Sequence, residues 1–384
     1  MSSELQVNTI TEATSGSGIT FAKDIIPATP LSHRNLIING AMRVAQRGTS
    51  STSAGLQTVD RFATTYNHNS ENPTQSQHAL TSSDTGPYEE GFRNSFHILN
   101  GNNPSDNNDD RVAINYKIEA QDLANSGWDY KSSSSYITLS FWCKSSVAQN
   151  FYGRLQTQDG TQQGYAFETG SLTANTWTKI TKTIPGNSNL DFNDDNGSGL
   201  LIEFVMFRGT DKTGPMSLDT WGAYNSAIRV PDMTSTWYTT DDATWEITGL
   251  QLERGSVATP FEHRSYGEEL QRCQRYHQRL PDVSGSGSAY ASVGTGFAGS
   301  GTQADVHIDF KTAMRTNPSF NINGFEIKGS GFAYNVTSIT STYLGSNSGF
   351  AVVTASSGSM AGGDSVNLRR SNNSSHYIEL DAEL

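Results

Sequence analysis

Apolar residues along most of this chain recur at every second position, the period of a strand with one face buried. Val112, Ile114, Tyr116 and Ile118 share one face; Ile137, Leu139, Phe141 and Cys143 share another, with Thr138, Ser140 and Lys144 opposite. Leu200 to Phe207 (LLIEFVMF) is apolar nearly throughout, which suits a strand covered on both sides. Trp245 and Ile247 lie on one face but Leu250 and Leu252 on the other, so Gly249 marks a predicted β-bulge. Turn clusters such as NGNNPSDNNDD and NDDNGSG separate these runs, and the pattern, which starts near Leu36, predicts a β-sandwich. A Gly/Ser-rich stretch, VSGSGSAYASVGTGFAGSG, then resets the chain. Alternation resumes at Val306, Ile308 and Phe310, continues through Phe320 and Ile322, and predicts later strands near Phe325, Phe332, Phe350 and Tyr377. No repeat of solenoid length is present.

The period changes once, between the two β-rich stretches. Tyr266, Leu270, Cys273, His277 and Leu280 follow at steps of 4, 3, 4 and 3, which predicts a helix with these five residues on one face. Ser265 is its expected N-cap, Glu268 completes a capping box, and Pro281 ends it. The chain is therefore expected to be all-β, with a β-sandwich over residues 31–264, a linker helix over 265–280 and a smaller C-terminal β-domain over 281–384. Residues 1–30 hold two small apolar clusters, Leu5, Val7 and Ile10, then Ile19, Phe21 and Ile25. A disordered tail and a segment that folds against a partner both fit that composition.

Composition narrows the function classes. Hydrophobic residues make up 34% of the chain and mean hydropathy is −0.52, but 10% aromatics supply the apolar material that disordered chains lack. A net charge of −12 argues against nucleic-acid backbones and anionic membranes as partners. No apolar run is long enough to cross a bilayer, and MSSELQVNTIT lacks the features of a signal peptide. Two cysteines, Cys143 and Cys273, make no disulfide framework, so folding in a reducing cytoplasm is expected.

Several motifs carry a family resemblance. ITGLQLERGSVATPFEHRSYGEELQRCQRY closely resembles the end of a jelly-roll module of bacteriophage tail-fibre and related virion proteins. NLIINGAMRVAQRG (Asn35 to Gly48) and VDRF (Val59 to Phe62) resemble its beginning, so the likeness spans roughly Asn35 to Tyr276. MRTNPSF, Met314 to Phe320, resembles an element of a small β-domain that often follows the CQRY helix in phage proteins. The resemblance implies a jelly roll, similar in fold to many carbohydrate-binding modules, and a homotrimer made in the host cytoplasm and built into the virion. VNTIT with GSGITFAKDI resembles leader segments of phage appendage proteins, which implies attachment to other tail or virion proteins through residues 1–30. The partner implied at the other end is a host-surface polysaccharide or outer-membrane receptor. A purely structural component (collar, tail or head decoration) and a polysaccharide depolymerase are the rival functions.

Candidate chemistry follows from the aromatics. Flat rings in polar, turn-like sequence suit the C–H face of a sugar, with Asn, Asp and Gln reading hydroxyls. Trp221, Tyr224 and Trp237 are such candidates in the sandwich, with Trp128, Tyr130 and Tyr238 in similar sequence; Tyr290, Tyr334 and Tyr343 are candidates in the C-terminal domain. Burial as core payload competes for each. Trp142, Trp177 and Trp245 lie in or beside regular strands and read as structural. The C-terminal domain is the expected receptor-binding end, because a fibre held by its N-terminus presents it farthest out. Tyr266, Leu270, Cys273, His277 and Leu280 are the candidate oligomer interface; two heptads are too few for an independent coiled coil, and packing on the chain's own sandwich is the alternative. DFNDDNGSG offers Asp191, Asn193 and Asp195 to a cation, as could Asp106, Asp109 and Asp110, but the closing Glu of an EF-hand is missing from the first loop, so these read as turns. The histidines show no zinc spacing, and no nucleophile elbow or phosphate loop occurs. No metal, cofactor or catalysis is expected.

Overall fold

The computed structural model describes residues 33–67, 71–102, 106–281 and 288–384; the expected attachment segment, residues 1–30, lies outside them. The first unit contains β1 (Ser50–Ser51), β2 (Phe62–Asn67), β3 (Thr74–Ala79), β4 (Asn94–Leu99), β5 (Arg111–Glu119) and β6 (Tyr136–Ser145). It continues through β7 (Asn150–Thr157), β8 (Gln163–Ser171), β9 (Thr178–Pro185), β10 (Ser198–Arg208), β11 (Trp221–Ala223) and β12 (Thr244–Arg254), with a short helix α1 (Ala120–Ala124) after β5. Two antiparallel sheets result, ordered β1-β3-β4-β12-β6-β9 and β11-β8-β7-β10-β5-β2. Counting the central strands β4 to β10 and β12 from one to eight, the sheets read 1-8-3-6 and 2-7-4-5. That order is a jelly roll, two interlocked Greek keys.

The alternating residues meet between the sheets as their spacing predicts. Val112, Ile114, Tyr116 and Ile118 of β5 and Ile137, Leu139, Phe141 and Cys143 of β6 belong to one buried core. Phe141 packs edge-on to Phe204 of β10 with ring centres 5.0 Å apart. β10 is covered on both faces because residues 209–240 fold back over its outer side, where Val230 and Met233 pack near Val205 and Ala113. The expected bulge is present: the β12–β6 register shifts between Thr248 and Gln251, and Gly249 takes φ +64° with the Phe92 ring filling the space a Cβ would occupy.

The helix is shorter than its spacing predicts. α2 (Tyr266–Gln274) is capped by Ser265, whose Oγ accepts from the Glu268 N–H at 3.2 Å. The Glu268 side chain pairs forward with Arg272 instead of closing the capping box. Residues His277–Leu280 form strand β13, antiparallel to β21 (Tyr377–Asp381). A partner strand about a hundred residues away satisfies this backbone, and four residues of which His277, Gln278 and Leu280 are buried and Arg279 half-buried fit either element locally. The stripe is therefore broken. Tyr266 is exposed and Leu270 half-buried, whereas Cys273, His277 and Leu280 are buried within their own chain and are not free to face another copy. Leu280 belongs to the core of the C-terminal unit, so that unit begins at His277 and not at 281.

The C-terminal unit holds β14 (Ser292–Ala298), β15 (Gln303–Asp309), β16 (Ser319–Asn323), β17 (Phe325–Gly329), β18 (Phe332–Leu344), β19 (Ser348–Ala355) and β20 (Ser365–Arg370). Six of them close a barrel in the order β14-β15-β19-β18-β17-β20, beside a three-stranded sheet β13-β21-β16. Val306, Ile308, Ile327, Val353 and Leu368 fill the core.

The two units are locked together by the motif residues. Arg275 grips Glu119 of β5 with Nε and Nη2 at 2.7 and 2.8 Å, and the Tyr276 hydroxyl donates to the same carboxylate. The Arg61 guanidinium lies 3.4 Å from the Tyr276 ring centre, donates to the Lys117 carbonyl and pairs with Glu383. Arg47 pairs with Asp381 and Glu383, and Lys117 Nζ donates to the Leu384 carbonyl. The last described residues thus pack on the jelly roll and not at the outer end of the barrel.

Candidate functional site

β7 and β10 present a polar outer face on the second sheet. Period two places Tyr152, Arg154 and Gln156 of β7 on the side opposite Phe151 and Leu155, and Glu203 of β10 opposite Ile202 and Phe204. Arg154 Nε donates to Glu203 Oε2 at 2.5 Å and Arg208 Nη2 to Oε1 at 2.8 Å. Burial alone would push the Glu203 carboxyl up; the Arg154 and Arg208 charges outweigh it and hold the group below its ordinary range. Arg154 also donates to Gln156, which donates to Gln162. Arg229, the third guanidinium interacting with Glu203, has a buried Nε with no hydrogen-bond partner.

The segment that folds back over this face leaves a groove of about 270 Å³. Its floor is Arg154, Gly164 and Ala166, and its walls are Trp221, Tyr224, Asn225 and Arg229. The Arg154 guanidinium lies 5.5 Å from the Tyr224 ring centre. Trp221 packs its ring against Tyr165 and donates from Nε1 to the Pro185 carbonyl, so only its edge lines the groove. Among the described residues, no Asp or Glu side chain lines it. The groove can therefore hold a ligand against a half-buried aromatic ring and offer it guanidinium donors in excess over carboxylates.

Of the candidate aromatics, the structure brings Trp221 and Tyr224 together here. Trp237 is a correction: it is fully buried, with Nε1 donating to the Thr244 carbonyl, because its ring fills the core edge-on to Phe151. Trp128 and Tyr238 are likewise core residues; Tyr238 stacks on Phe207 at 4.2 Å and its hydroxyl donates to Asp110. In the barrel, Tyr343 is 64% exposed and pairs across β18–β19 with Phe350. Phe350 also meets Phe297 and His307, with ring centres 5.9 and 5.3 Å away, over a broad open depression. Tyr290 lies under Arg369, and Tyr334 stacks on Phe332. These rings do not converge on the groove.

Arg154, Glu203 and Arg229 were not among the sequence candidates. A signal for Glu203 was available: one acid inside an otherwise apolar strand requires a buried cation beside it. The candidate cation ligands of the 191–195 loop have partners within the chain. Asp195 accepts from the Gly197 N–H, Asp159 holds Asn193, and Asp191 pairs with Lys131.

No family model and no curated protein sequence matches the chain. Several solved structures are similar to it at low scores. One is a bacteriophage CBA120 tailspike protein 4 domain, 12% identical over 58% of this chain and 21% of that one, TM-score 0.30. This chain thus spans about a fifth of that protein's length. Another is the N-terminal cellulose-binding domain of Cellulomonas fimi β-1,4-glucanase C, 9% identical over 56% of this chain and 99% of that one, TM-score 0.27. A third is a family 11 carbohydrate-binding module from Clostridium thermocellum, 11% identical over 55% and 98%, TM-score 0.25. Scores this low carry no conclusion about ligand or activity, and the jelly-roll assignment stands on the strand order above.

Proposed function

We propose that the chain is a phage tail-fibre adhesin that binds a host-surface polysaccharide without cleaving it, and that the groove beside Tyr224 takes an acidic sugar. The observation that supports this reading is the charge of the groove's lining: Arg154 and Arg229 are its charged side chains, beside the half-buried Tyr224 ring, on a chain whose net charge is −12. A uronate or similar carboxylate fits the Arg229 guanidinium in the groove wall, and the sugar's C–H face fits Tyr224. The virion location and attachment through residues 1–30 rest on the motifs of Asn35 to Tyr276 and the leader-like residues before them. A homotrimer belongs to the same reading, by resemblance and not through a Cys273–His277 seam; sedimentation as a monomer at micromolar concentration would remove it.

The test is adsorption of the purified chain to host cells and to acidic and neutral glycans. Tyr224→Ala and Arg229→Gln are expected to weaken binding to acidic glycans at least tenfold while leaving the fold intact. Release of reducing ends would make the protein a depolymerase, and a folded chain that adsorbs to nothing would favour the purely structural component. A second reading puts the contact on the barrel's exposed Phe297–Phe350–Tyr343 surface; loss of adsorption in Phe350→Ser, with Tyr224→Ala unaffected, would establish it. Point variants are cleaner than a cut after Leu280, which would strip β13 of its partner strand and Arg61 of Glu383.

A further inference from the structure

The outer face of the first sheet, on the opposite side of the sandwich from the groove, carries a cluster that no spacing rule reveals. His78 stands on β3, His97 on β4 and Glu246 on β12, three adjacent strands. The β12–β4 register sets Glu246 directly opposite His97, and the β3–β4 register sets His78 beside Ser95, two residues along the same face. One ligand atom from each of the three lies within 4.8 Å of the others. We propose that His78, His97 and Glu246 bind a divalent transition-metal ion, Zn²⁺ before others, as three protein ligands with the remaining position open to solvent.

The geometry and the surroundings both support it. His78 Nδ1 lies 3.3 Å from Glu246 Oε2. Two donors about 2.0–2.1 Å from one tetrahedral ion are separated by about 3.4 Å, so this pair already stands at the spacing a shared ion needs. The His78 and His97 rings sit 5.1 Å apart, edge to face, and a small rotation of the exposed His78 closes the set. The remaining atoms are braced from outside. Ser95 Oγ donates to Glu246 Oε2 at 2.6 Å, and Ser76 Oγ lies 3.4 Å from His97 Nδ1.

Among the described residues, Lys144 is the one cation that argues the other way. Its Nζ sits 3.0 Å from Glu246 Oε1, but it is shared with Asp84 at 3.1 Å and lies against the Trp177 ring. Two carboxylates therefore face one ammonium, and the local charge is one negative unit before any ion arrives. Lys144 occupies Oε1, whereas His78 faces Oε2, so ammonium and metal would use different oxygens of the same carboxylate. Two imidazoles and one carboxylate suit Zn²⁺, Ni²⁺ or Cu²⁺ and disfavour Ca²⁺ and Mg²⁺, which prefer oxygen ligands. The bound ion would tie β3, near the sheet's edge, across β4 to β12.

The test uses the untagged full-length chain, stripped with chelator and titrated with Co²⁺ and Zn²⁺. One equivalent of Co²⁺ is expected to give visible absorption of a four-coordinate site, displaced by Zn²⁺, and Zn²⁺ is expected to raise the melting temperature. His78→Ala, at an exposed position that should not disturb folding, and His97→Ala should each weaken binding at least about tenfold, whereas His263→Ala and His307→Ala should not. Saturable binding lost in the first pair and kept in the second supports the site. No saturable binding by the folded chain, or binding that survives both His78→Ala and His97→Ala, overturns it.

Discussion

The residues that make the sequence resemble phage proteins are joinery. Asn35 accepts from Ile37 and Leu252 N–H and donates to the Leu250 carbonyl; Asn39 ties Val44 and Asp60 to Glu269; Gln46 reaches the His277 carbonyl. Motifs of this kind are legible because a buried polar side chain with several partners tolerates few replacements. The groove residues Arg154 and Arg229 have no comparable local signature, since their partners come from distant strands. His277 illustrates the cost of burial in the joint. Its imidazole is driven well below its ordinary range, first by burial and then by Arg47 and Arg279; Glu379 and Asp381 lie about 4 Å away, too far to hydrogen-bond. The unfolded chain takes up this proton near its usual value of about 6.5 and the folded chain does not, so acid below that value destabilises the fold. The neighbouring Asp60 works in the opposite direction: its carboxyl is raised to about 6, so the folded chain gains protons before the unfolded one. The expected signature is therefore a difference. Relative to His277→Gln, the wild-type chain should lose about 1 kcal/mol between pH 6.5 and 5.5 in denaturant melts, and parallel curves would refute the assignment. Burial also raises the thiols of Cys143, to about 12, and of Cys273. Thiol reagents should label neither in the native protein and both once denaturant is added; prompt native labelling of Cys273 would contradict its position.

Elements were legible where burial alternates and misread where a short segment borrows its partner from far away. β5, β6 and β12 with its bulge follow their sequence patterns. α2 and β13 do not separate by pattern alone, because the 4-3-4-3 spacing runs through Arg275, where the helix ends, into a strand paired with β21. Two glycines test this level from opposite sides. A Cβ on Gly40 would stand 2.1 Å from the Leu250 carbonyl oxygen, and that backbone cannot retreat because the Leu250 N–H is itself bonded to the Gly40 carbonyl. Gly40→Ala should destabilise by about 2–3 kcal/mol. Gly267, inside α2 with open space around it, should become more stable as Ala by up to about 1 kcal/mol. Equal effects in chemical denaturation would mean that the close approach is not real. Ser265→Ala, which removes the cap, should cost about 1 kcal/mol by the same measurement.

At the scale of the whole molecule, the pattern of strands foretold two β-rich units but not how they meet, since the contact is made by single charges spread from Arg47 to Glu383. Arg61 and Glu383 have side chains 2% and 6% exposed. Removing one member of such a pair leaves a buried charge, so Glu383→Ala should cost about 3 kcal/mol or more. Because the pair joins both units, a single calorimetric transition is expected for the wild-type chain and two for this variant; two transitions in both would mean that the units melt independently. The same contact sets an order of events at the ribosome. Arg61 and Glu383 are 322 residues apart, so at about 5–20 residues per second the partner of Arg61 emerges tens of seconds after the socket that awaits it. Until then Arg47 and Arg61 stand in the nascent jelly roll without their carboxylate partners Asp381 and Glu383. The sandwich strands can pair before that point, whereas the seam to the second unit cannot close until residues 381–383 have been made.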